Sequence, residues 1–225
     1  MLWAYSIGAG AAVLSAAGVA MGLLLKRSSW GPDASLVRYL HEKLACDNPL
    51  IVGAKFIVYL GLPPWFYLLI GGTCAYLAIR KHWADVSYLL ISSLGGGLID
   101  TIVKRFVDRP RPNVGRPCNF RTFSGEGWSF PSGHAMTSVI VYGALLIIVL
   151  PGLGRRWRIP ATTLAILLPL AMGFSRLSLG VHWASDIVGG WLLGAAWLAI
   201  STLTFKRWEK NGTKGPAGPP IRQGN

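Results

Sequence analysis

The chain has 225 residues, of which 52% are hydrophobic and only 14% charged, with a formal net charge of +13. A soluble domain carries about 25% charged residues, so the composition excludes an ordinary water-soluble domain and points to lipid-facing surface. The positive balance does not mark a nucleic-acid binder, because the basic residues stand between apolar runs instead of gathering on one solvated element.

Residues 1–25 carry no charged side chain. At about 1.5 Å rise per residue, some 20 residues cross a 30 Å hydrocarbon core, so this is a first transmembrane helix. Residues 26–55 are mixed and are expected to form an interfacial segment. Within it, Leu36, Leu40 and Leu44 recur every four residues, with Arg38, Glu42 and Lys43 on other faces, which predicts a short amphipathic helix at the membrane surface. The second span is Phe56 to Ile79, its regular helix starting at Pro63-Pro64, where proline is tolerated. The third is Val86 to Val103, with Gly95-Gly96-Gly97 permitting close approach. Asp100 lies one turn before Lys104 and is its expected partner. A polar loop over about 104–134 leads to the fourth span, Ala135 to Gly154. Ile159 to Ser175 and Ile187 to Phe205 are the fifth and sixth. The tail, 206–225, turns rich in Gly and Pro and is expected to be disordered.

The fold class read from this pattern is all-α: one integral membrane bundle of six transmembrane helices over 1–205, with a short interfacial amphipathic helix. Of the three cysteines, Cys74 reads as a packing residue inside an apolar run. Cys46 and Cys118 fall on one face of the membrane, as two free thiols or as a disulfide. Once the cations of the polar clusters are set aside, the basic residues concentrate on the side holding both termini, which places the termini inside. Six spans also bring the ends of spans three and five and the starts of four and six to a single membrane face.

Three polar clusters open on that face. The first is Lys104-Arg-Phe-Val-Asp-Arg-Pro-Arg111-Pro112, the second Pro131-Ser132-Gly133-His134, and the third Ser175-Arg176 with His182 and Asp186. Arg111, held between two prolines, and Arg176 present guanidinium forks that match phosphate oxygens, and Lys104 adds a point charge. Ser132 and Gly133 precede a helix, where backbone N–H groups and a hydroxyl bind anions. His182 and Asp186 stand four apart, so on one helical turn they share a face. A carboxylate that accepts one ring N–H leaves the other nitrogen free to attack. His134 brings a second imidazole to the same phosphate, so one histidine can attack while the other donates a proton. The surrounding cations would repel a divalent ion, so neither a metal nor another cofactor is expected. Arg116, Arg121 and Trp128, in the polar loop, are candidates for contact with a lipid headgroup.

The ordered pattern Lys104-x6-Arg111-Pro112, Pro131-Ser-Gly-His134, Ser175-Arg176-x5-His182-x3-Asp186 resembles the signature of the type-2 phosphatidic-acid phosphatase superfamily, whose site is shared with vanadium-dependent haloperoxidases. The resemblance covers about a third of the chain and shows no departure at the family's catalytic positions. It implies that Lys104, Arg111, Ser132, Gly133 and Arg176 bind phosphate. It also implies that His134 is the general acid, His182 the nucleophile that becomes phosphorylated, and Asp186 its partner, with an extracytoplasmic active site. The expected activity is metal-independent removal of a terminal phosphate from a lipid phosphate or diphosphate of the phosphatidic acid, phosphatidylglycerophosphate or undecaprenyl diphosphate type. The expected setting is a bacterial inner or plasma membrane. The alternatives are a lipid phosphotransferase using the same histidine, and a non-catalytic phospholipid-binding or transport protein. The intact His182, Asp186 and His134 speak against the second.

Overall fold

The computed structural model describes residues 2–26, 31–44, 48–112 and 127–212. Among them the only regular structure is helical. The helices are α1 (Leu2–Leu24), α2 (Gly31–Lys43), α3 (Pro49–Leu60), α4 (Pro63–Ile79), α5 (Trp83–Val107), α6 (Gly133–Val149), α7 (Arg155–Ser178) and α8 (Ala184–Gly212), and a 3₁₀ turn, Leu150–Gly152, extends α6. Five helices (α1, α5, α6, α7 and α8) are long and apolar enough to cross a membrane. Large apolar side chains such as Val13, Tyr67, Leu68, Leu94, Leu98 and Leu164 point outward on these helices and on α4. In water each would forfeit about 1.5–3 kcal/mol relative to burial, so the outer surface suits hydrocarbon, as in an integral membrane protein.

The regular helix of the second span starts at Pro63, as expected, but the residues ahead of it form a helix of their own. The span is a bent pair, α3 and α4, meeting at 48° across a short break, and the two halves together make the sixth candidate span. The break has a local cause. Pro63 and Pro64 withhold the backbone donors that a continuous helix would need, and Asn48 caps α3 earlier, its side chain accepting from the Leu50 N–H at 2.9 Å. Pro49 to Lys55, expected at the interface, therefore belong to this span pair. At the other end α8 runs on to Gly212, past the expected start of the tail at 206. Lys206, Arg207 and Lys210 are good helix formers, and a helix C-terminus favours cations.

The amphipathic helix α2 is present, and Leu40 and Leu44 of the expected stripe pack inward. Asp33, Val37 and Leu44 are buried, whereas Leu36 is exposed. Leu44 packs with Ile51, Val58 and Leu179, which seats α2 on α3 and the end of α7. The centre of the bundle is α6, flanked by α5, α7 and α8, while α1 lies along α8. Phe130, Met136, Ile140, Leu193 and Val107 form a cluster directly beneath the polar face. Close approach of α6 and α8 depends on two glycines: a Cβ at Gly190 would come within 2.7 Å of the Ser132 carbonyl oxygen, and one at Gly194 within 2.8 Å of that of Met136. Of the glycine run in α5, Gly95 and Gly96 receive Trp197 and Ile140 side chains, and Gly97 faces open space. Cys74 packs as expected, against the cluster around Tyr88 and Leu89.

Candidate active site

The ends of α5 and α7 and the starts of α6 and α8 meet around one cavity of about 290 Å³, lined by Asp100, Lys104, Arg111, Gly133, His134, Thr137, Arg176 and His182 together with Gly61, Pro63 and Phe66. The structure thus brings together the cations, the imidazoles and the glycine turn of the three clusters. Ser132 and Asp186 lie just behind the lining, both buried.

Each group is held by its element's ending. Helix α5 stops at Val107, where Asp108 takes a left-handed conformation (φ 57°) and returns its N–H to the Lys104 carbonyl at 3.0 Å. The chain therefore turns before Pro110 is reached. Upstream, Lys104 Nζ meets Asp100 Oδ1 at 2.5 Å, the expected i, i+4 pair. Arg111 follows between its two prolines, and its guanidinium donates to the carbonyls of Gly127 (3.2 Å), Trp128 (3.3 Å) and Val181 (2.8 Å). It pins two chain segments together at the mouth of the site. Trp128 is half exposed here, whereas Arg116, Arg121, Cys46 and Cys118 lie outside the described residues. Ser132 stands at the N-cap of α6 but makes no side-chain cap bond, and its buried Oγ has no partner among the described residues; neither does His134 Nε2. Buried polar atoms are normally bonded. The His134 atom, in a lining that it shares with Lys104, Arg111 and Arg176, forms with them a cradle suited to an anion with several acceptor oxygens, and Ser132 Oγ lies behind it.

His182 and Asp186 differ from the expected helical pair. His182 sits in the turn before α8 starts at Ala184, and only Asp186 is helical. The Asp186 carboxylate folds back over the helix start, where Oδ2 accepts the Trp183 N–H at 2.9 Å, much as a capping-box carboxylate does. The same oxygen accepts from Ser129 Oγ and faces His182 Nδ1 at 3.4 Å, just outside hydrogen-bond geometry. His182 Nε2 is 3.1 Å from Arg111 Nη1. A guanidinium has no acceptor, so Nε2 carries the lone pair and Nδ1 the hydrogen, the tautomer assigned by its partners. Burial, with help from the Arg111 and Arg176 charges, pushes the His182 imidazole down to about 3 against the opposing pull of Asp186. It is neutral at ordinary pH. Burial likewise lowers Arg111 from its usual value, without discharging it.

Sequence reasoning passed over a buried ionic chain behind this pair. Asp186 Oδ1 accepts from Arg109 Nη1 at 2.7 Å, and Arg109 Nη2 reaches Asp33 Oδ2, on α2, at 2.9 Å. All three side chains are at most 1% exposed. Arg109 also lies over the Trp183 ring, 5.5 Å from its centroid. Removing one member of such a buried set strands a charge, at about 3–5 kcal/mol. Arg109 was visible within the first cluster, but its neighbours gave no sign that it points away from the cavity. Asp33 carried only the weak signal of an acid in a first helical turn.

Residues 85–210 match the family model described as the PAP2 superfamily. Phosphatidylglycerophosphatase B of Bacillus subtilis is 31% identical over 118 residues, 51% of this chain and 55% of that protein, so the chain spans little more than half the length of this relative. Decaprenylphosphoryl-5-phosphoribose phosphatase of Mycolicibacterium smegmatis is 32% identical over 169 residues, 71% of this chain and 81% of its own. Among solved structures, the transmembrane PAP2 type phosphatidylglycerolphosphate phosphatase from Bacillus subtilis superposes with a TM-score of 0.72 over 94% of this chain and 98% of the other. Its 23% identity makes that likeness one of fold. Because the matched stretch takes in all of α6, α7 and the three motif clusters, the chain belongs to the PAP2 superfamily.

Proposed function

We propose that the chain is a membrane lipid phosphatase that releases a terminal phosphate from a lipid phosphate or diphosphate through a phosphohistidine on His182. The observation that carries this reading is the meeting of two imidazoles and three cations on one cavity at one end of the bundle. Lys104, Arg111 and Arg176 grip the phosphoryl oxygens, with Ser132 Oγ and the amides at the start of α6 completing the cradle.

In the first half-reaction the His182 Nε2 lone pair attacks phosphorus. A P–N bond forms, the P–O bond to the lipid breaks, and the leaving oxygen takes a proton from His134. The phosphate dianion supplies the negative charge beside which His134 carries that proton. In the second half-reaction His134 accepts a proton from water, the water oxygen bonds to phosphorus, and the P–N bond breaks to give inorganic phosphate and neutral His182. Asp186 faces the positive charge that the ring carries between the two steps.

The relatives' names share a phosphate on a lipid while the lipid differs, so the proposed substrate class is set by the phosphoryl group and its membrane anchor. The basic residues Arg80, Lys81, Arg155, Arg156 and Arg158 lie at the helix ends opposite the cavity. By the positive-inside tendency this supports cytoplasmic termini and an extracytoplasmic site. In detergent, His182→Ala is expected to cut phosphate release by at least about 10³-fold with the thermal transition intact. Retained turnover overturns the nucleophile assignment.

A further inference from the structure

We propose that Asp33 is a positioning residue for this reaction: through Arg109 it holds the Asp186 carboxylate in place and keeps it negatively charged in effect. The inference rests on His182 as nucleophile. Its starting point is charge. Asp186 alone against Arg109 would be a neutral pair, with the guanidinium drawing the carboxylate's field away from His182. The second end of the same guanidinium is instead occupied by Asp33 at 2.9 Å. Two carboxylates on one guanidinium leave a net charge of about −1, 3.4 Å from the ring nitrogen that becomes positive on attack. From its other side the ring faces Arg111 at 3.1 Å, and Arg176 adds to the positive field there. Without Asp33 the phosphorylated ring would meet cations on one side and a neutral cluster on the other.

Position follows the same path. Asp33 Oδ1 accepts the Ser185 N–H at 3.0 Å, Ser185 Oγ donates to Asp33 Oδ2, and Arg109 Nη1 donates to Ser185 Oγ at 2.7 Å. Asp33 therefore binds the residue next to Asp186 as well as the guanidinium that holds it. It reaches this place because the inward face of α2 is the stripe of Asp33, Val37 and Leu40, continued by Leu44 just past the helix end. That helix lies outside the residues matched by the family model, so the chain supplies part of its nucleophile's support from its own N-terminal region.

The experiment is steady-state phosphate release from a short-chain phosphatidic acid in detergent, with thermal unfolding as the fold check. Asp33→Asn keeps the shape and removes the charge. It is expected to lower kcat by about 10- to 100-fold while KM moves less than about twofold. In an Asp186→Asn background the same change is expected to alter the residual rate by less than about twofold, because the two act through one guanidinium. If Asp33→Asn does not fold, Ser185→Ala takes its place and is expected to lower kcat by about 3- to 10-fold at constant KM. Wild-type kcat in a folded variant overturns the inference, as does a rise in KM alone or full additivity with Asp186→Asn. Absence of phosphate release from the wild-type protein, or full activity of His182→Ala, overturns the functional reading on which it rests.

Discussion

The two halves of the chain contribute differently. The stretch from α5 to α8, with its connecting turns, carries the family signature and every group proposed to bind or attack the phosphoryl moiety: Lys104, Arg111, Ser132, His134, Arg176 and His182. Among the described residues, the helices from α1 to α4 place no titratable side chain in the cavity, yet Gly61, Pro63 and Phe66 wall it and Asp33 anchors its rear. The proposed chemistry is thus confined to one half, whereas the shape and support of the site draw on both. A motif scan sees only the first contribution.

That division can be tested from its strongest side downward. In the signature half, His134→Ala removes the proposed proton donor and is expected to reduce kcat by about 10²- to 10⁴-fold for a lipid phosphate. A substrate with a far better leaving group should recover much of the loss, and a loss independent of the leaving group would remove His134 from that role. In the other half, Gly61 has no chemistry to lose, only room. A Cβ there would lie 2.4 Å from Met172 Sδ and 2.9 Å from His134 Cδ2. Gly61→Leu is expected to lower kcat/KM by about 10- to 100-fold by displacing the imidazole, while unfolding in detergent still occurs as one transition. Undiminished turnover would show that α3 and α4 are mere packing.

The smallest effect concerns pH. An unfolded histidine takes a proton near pH 6.5, but folded His182 resists it down to about 3. The unfolded state therefore binds the extra proton over that window, so stability falls as pH drops from about 6.5 and levels off below about 3. Thermal unfolding in detergent should show this slope, and His182→Gln should flatten it. An unchanged slope in the variant would assign it to another group.

The sequence made the signature half legible because catalytic chemistry needs rare residue types at fixed spacing, and the apolar runs announced a membrane bundle. Pro63-Pro64 marked where the regular helix of the second span begins, but hydropathy reports how apolar a segment is, not its direction, and so gave no sign of the separate, bent helix α3 ahead of it. Leu40 and Leu44 marked the inward face of α2 correctly, but Leu36 is exposed and the buried Asp33 and Val37 complete that face, which a reading of leucines alone does not show. The i, i+4 spacing of His182 and Asp186 suggested a shared helical turn, when the carboxylate in fact caps the start of α8 and leaves the histidine ahead of it. Nothing local marked Arg109 as facing Asp33, since that contact joins residues 76 positions apart.

One backbone bond has a mechanical consequence. The Ser132 N–H donates to the Asp186 carbonyl at 2.9 Å, tying the turn before α6 to the first turn of α8, while Gly190 lets those helices lie in near contact. His134 and His182, the proposed proton donor and nucleophile, therefore flank a single backbone strut. A change in bilayer thickness is met by helix tilt, and with this tie in place the spacing between the two rings is expected to change less than the tilt of the surrounding helices.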